Sequence, residues 1–149
     1  MVLSESDVRR HLAFMAYLVI MASMPKEKVA DIATPQDIAA FASRTAFCSH
    51  LVTEFCPAVL EALDGGVPLV TKMWHPVRGP AVYPLEVVPQ TLARIETVMR
   101  DRSAMPSEYV DWTVTELSRA VELYRHASER GEAVVSMLDL TRSERRHDT

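Results

Sequence analysis

The sequence predicts a mainly α fold: a single helical bundle of about five to six helices, carrying a proline-rich irregular or β-hairpin insertion over residues 67–89. Three observations predict it. Ala, Leu, Met, Glu and Arg, all good helix formers, are abundant. Only four glycines occur, too few for the many tight turns of a β-sandwich. Apolar residues recur at helical spacing over several long stretches. With 149 residues, 48% of them hydrophobic, the chain is long enough for one domain with a core and too apolar for general disorder. The expected organisation is a helical domain over 1–141 and a polar, frayed tail over 142–149.

The first helix begins at Ser4-Glu5-Ser6-Asp7, where Ser4 and Asp7 have capping-box spacing with Asp in place of Glu. Val8, Leu12, Met15, Val19 and Ala22 form one stripe, and Phe14, Leu18, Ile20 and Met21 fill the other faces. A helix apolar all round must be surrounded. It is therefore expected at the bundle centre, with surplus surface serving a homodimer through this helix. The run from His11 to Met24 follows Arg9-Arg10 and superficially resembles an export signal. Glu5 and Asp7 spoil the basic leader, and no small-residue cleavage site follows. At about 13 residues the apolar run is too short to span a bilayer. Pro25 ends the helix, and Lys26 to Ala33 is read as a short one.

Thr34 to Asp64 is the expected spine. Thr34 can cap free N–H groups, Pro35 pre-sets the first helical φ, and Asp37 favours the positive helix end. Ile38, Phe41, Ala42, Thr45, Cys48, Val52, Phe55 and Cys56 fall on one helical face. This predicts one helix from Pro35 to about Phe55. Pro57 interrupts it, and a short continuation runs to Leu63. Gly65-Gly66 is the natural stop.

Residues 67–89 contain Pro68, Pro76, Pro80, Pro84 and Pro89, which exclude helix over most of the segment. Leu69 to His75 and Ala81 to Val88 are candidate arms of a hairpin, restricted by proline to edge or irregular pairing. Helix resumes near Gln90 and runs to about Arg102, burying Leu92, Ile95 and Met99. Another runs from Pro106 to Gly131 on a stripe of Val110, Val114, Leu117, Val121 and Tyr124. For Glu132 to Leu140 a short helix is favoured, with a strand against the hairpin as the alternative.

Net charge is −4, which argues against nucleic-acid binding through a broad phosphate contact. Two cysteines, Cys48 and Cys56, would lie roughly 12 Å apart along a continuous helix, beyond disulfide reach. Without a disulfide framework, a reducing cytoplasmic setting is the default. Both thiols sit on the apolar stripe, where cysteines are usually inert.

Three constellations could carry chemistry. The i, i+4 pairs His50/Glu54 and Glu122/His126, with His11 as a fifth donor, form a weak metal alternative. Helical phase directs both pairs away from the apolar stripes, so no metal and no cofactor are assigned. The second is cysteine chemistry, and no histidine is placed to activate Cys48. The third is the ligand- or partner-binding set Trp74, His75, Arg78 and Tyr83 in the proline-rich segment. No phosphate loop, nucleophile elbow or metalloprotease pair occurs. The expected function is a non-catalytic binding or regulatory protein for a protein partner or small ligand, without a membrane or nucleic-acid role. The alternative is a small-molecule enzyme whose pocket is lined by Trp74, His75, Arg78 and Tyr83.

Overall fold

The computed structural model describes residues 18–69, 80–105 and 110–139. In chain order they form β1 (Leu18–Met24), a 3-10 turn (Lys26–Asp31), α1 (Pro35–Phe41), β2 (Arg44–Ser49), α2 (His50–Phe55) and α3 (Pro57–Ala62). These are followed by β3 (Val67–Pro68), β4 (Ala81–Tyr83), α4 (Val88–Arg100), a second 3-10 turn (Arg102–Ala104), α5 (Val110–Arg130) and β5 (Ala133–Asp139). The five strands make one antiparallel sheet in the order β2-β1-β5-β4-β3.

This sheet overturns the predicted all-α bundle: the chain has an α/β fold. The corrections fall in three places. Leu18–Met24, expected as the end of an all-apolar helix, is the central strand β1, hydrogen-bonded to β2 on one side and β5 on the other. Its all-round apolarity reflects two covered faces of a sheet. Val19 and Met21 point into one core cluster, and Ile20, Ala22 and Met24 into another. The described part of the expected first helix thus offers no helical surface for a dimer, and residues 1–17 lie outside the described residues. The Pro35–Phe55 spine is also not one helix. α1 stops at Phe41, Ala42 turns extended, and Arg44–Ser49 is the strand β2. Finally, Ala133–Asp139 is a strand, β5, and it pairs with β1 as well as with the hairpin strand β4.

Several local signals do what their chemistry dictates. The Thr34 side chain accepts from the Asp37 N–H at 3.2 Å, and Asp37 Oδ2 accepts from the Thr34 N–H at 2.9 Å. This reciprocal capping box starts α1 behind Pro35. Pro57 opens α3 at its first position. Gly131, at φ +63°, ends α5, and the Glu132 N–H returns to the Ala127 carbonyl at 2.9 Å. That left-handed turn sends the chain directly into β5. Within the proline-rich segment, β3 and β4 form the small edge hairpin that its prolines permit. Val67 faces Val82, Pro68 faces Ala81, and the Leu69 N–H reaches the Pro80 carbonyl at 2.8 Å.

The two faces of the sheet are covered very differently. On the first, α2 to α5 pack over Val19, Met21, Ala46, Cys48, Tyr83 and Val134. α5 supplies Leu117, Ala120, Val121, Leu123, Tyr124 and Ala127 to this main core. On the second face, the cover is only α1 and the first 3-10 turn, through Ile38, Ile32 and Val29. Beneath them lie Ile20, Ala22, Met24, Val135 and Met137.

Candidate functional site

The polar groups inside the first face are concentrated where β4, α3, α4 and α5 meet. Tyr83 is fully buried, and its hydroxyl donates to the Leu63 carbonyl at 2.7 Å. Its ring meets Tyr124 edge-on, with centroids 5.6 Å apart and planes at 82°. Arg94, on α4, donates through Nε to the Ala62 carbonyl at 3.0 Å and through Nη2 to the Asp64 carbonyl at 2.6 Å. One guanidinium thereby satisfies carbonyls at the C-terminal end of α3 that the helix leaves open. The backbone then turns through Gly65, at φ +113°, and passes under the Tyr83 ring at Gly66.

Burial holds the two tyrosines neutral. It pushes the Tyr83 phenol up, opposed by Tyr124 and Arg94 and reinforced by Asp64. The Tyr124 phenol is raised further by burial, with Tyr83 and Cys48 adding to the effect. The two hydroxyls influence each other's titration, yet the Tyr124 hydroxyl makes no hydrogen bond of acceptable geometry. The contact between the two rings is edge-to-face packing. Burial also pushes the Cys48 thiol up to about 12, with nearby Glu116 adding to it and Arg119 opposing. Its Sγ lies 3.8 Å from the Glu116 carbonyl oxygen, which accepts from it. Glu116, about half-buried, is raised by burial against the pull of Arg119 and the Ser49 backbone. A thiol and two phenols kept protonated are not poised as nucleophiles or bases.

At the far end of α5, Glu132 is buried and takes two basic neighbours on one oxygen. Arg130 Nε lies 3.0 Å from Oε1 and His126 Nε2 lies 3.7 Å away. Neither contact has hydrogen-bond alignment; the Arg130 contact is an ion pair that ties the helix end to the start of β5, with His126 beside the same oxygen.

The sequence-derived candidates distribute as follows. Trp74, His75 and Arg78 lie outside the described residues, as does His11. Tyr83 is an interior residue of β4 whose hydroxyl is engaged with Leu63. His50 opens α2 and is half-buried, next to the end of β2. Glu54 belongs to the same helix. Glu122 is exposed on α5, and His126 is drawn toward Glu132. Cys48 sits beside Glu116, and His126 is about 15 Å further along the α5 axis. Among the described residues, no three His, Cys, Asp or Glu side chains gather as a metal site. Both cysteines are buried as thiols.

The second face holds what the sequence did not single out. Among the described residues the exposed large apolar side chains are Phe41, at 39%, and Val67, at 50%. Phe41 projects from α1, with Lys28 Nζ over its ring at 5.8 Å. Val67 shares the second face with its cross-strand neighbour Val82, and Val82 and Leu69 are only partly buried there. Helical spacing had put Phe41 on a buried stripe. The one available signal against that was its place in the last turn before Ser43-Arg44-Thr45. Among the described residues no helix is long and apolar enough to cross a membrane. No protein family, curated protein or solved structure matches the chain.

Proposed function

We propose that this chain is a non-catalytic binding protein that docks a protein partner on the second face of its sheet. The observation that carries this reading is the edge hairpin on the thinly covered face, where Val67 is exposed and Val82 and Leu69 beside it are only partly buried. The neutral, buried state of Cys48, Tyr83 and Tyr124 supports binding over catalysis, because each acts as core.

The test is site-specific photocrosslinking of the full chain in the expressing cell. Benzoylphenylalanine replaces Val67 in one variant and Glu122, exposed on α5, in a control. A covalent protein adduct at position 67 and none at 122 is the expected result. No adduct at 67, or equal adducts at both positions, overturns the reading.

A further inference from the structure

We draw no further inference here: the strongest candidate, the apolar patch of Val67, Leu69 and Val82 on the edge hairpin of β3 and β4, already carries the binding reading, and nothing among the described residues shows what covers it.

Discussion

Replacing Gly66 by alanine should destabilise the protein through a single ring. A Cβ at position 66 would lie 3.1 Å from Tyr83 Cζ and 3.3 Å from both Cε2 and the hydroxyl oxygen. Gly66 has no left-handed φ, so alanine there carries no backbone strain. Stiffening the unfolded chain would by itself stabilise by about 0.4–1 kcal/mol. The steric term opposes this. Overpacking a tight site costs about 1–3 kcal/mol when the neighbours cannot yield. Tyr83 is held at both ends, by its hydrogen bond to Leu63 and by the Tyr124 ring. The net loss should therefore be about 0.5–2 kcal/mol. Urea unfolding should show a lower midpoint at unchanged slope, and thermal unfolding a fall of roughly 2–4 °C per kcal/mol. Tyr83→Phe removes both the close hydroxyl and the tether. In that background Gly66→Ala should cost measurably less, giving a coupling of the kind expected for residues in contact. The reasoning is refuted if Gly66→Ala is as stable as the parent. It is refuted equally if its cost is the same with and without the Tyr83 hydroxyl.

Two further outcomes follow from the same interior. Cys48 should resist thiol reagents at pH 8 in the native protein and label only on unfolding, with the site read by peptide mass mapping. Its folded-state value of about 12 lies above the ordinary 9.0, so its contribution is complete below pH 9 and lost as pH rises from 9 toward 12. The parent should lose stability over that window faster than Cys48→Ala, and parallel curves would contradict the assignment. Arg94→Ala should cost about 1.5–3 kcal/mol, the range for hydrogen bonds to a charged group, and raise amide exchange around residues 62–66. Arg94→Lys should fail to restore it, because an ammonium cannot span two carbonyls as a guanidinium does; full rescue would show that charge alone suffices.

How far the sequence reveals this fold depends on whether an element is signalled by its ends or by its pattern. Ends were legible. The Thr34-Pro35-Asp37 cap, Pro57 and Gly131 each mark a boundary found in the structure. Strands were not legible, because β1 and β5 are buried on both faces and show no period-two alternation. Met21, Ala22 and Met24 are also good helix formers, so local preference pointed away from the strand that tertiary burial imposes. In β2, Thr45 and Cys48 fell by coincidence on the helical stripe running from Ile38 to Val52. The break at Ser43-Arg44 was the weaker signal. Of the candidate binding set, only Tyr83 falls among the described residues, and it is a core residue. The exposure of Phe41 and Val67 could not be found from the sequence, because tertiary packing sets it.

The position of β1 beside β5 also bears on how the chain is made. Synthesis delivers β1 first among the described strands and β5 last, yet they are adjacent at the sheet centre. While the chain is still emerging, β1 can pair with β2, but its other edge stays open until nearly all the described residues have left the ribosome. That edge carries Leu18 to Met24, an uncharged apolar strand of the kind that recruits other chains. Sheet closure is therefore a late, long-range event with slow kinetics. The nascent protein is most vulnerable to aggregation in the interval between the translation of β2 and that of β5.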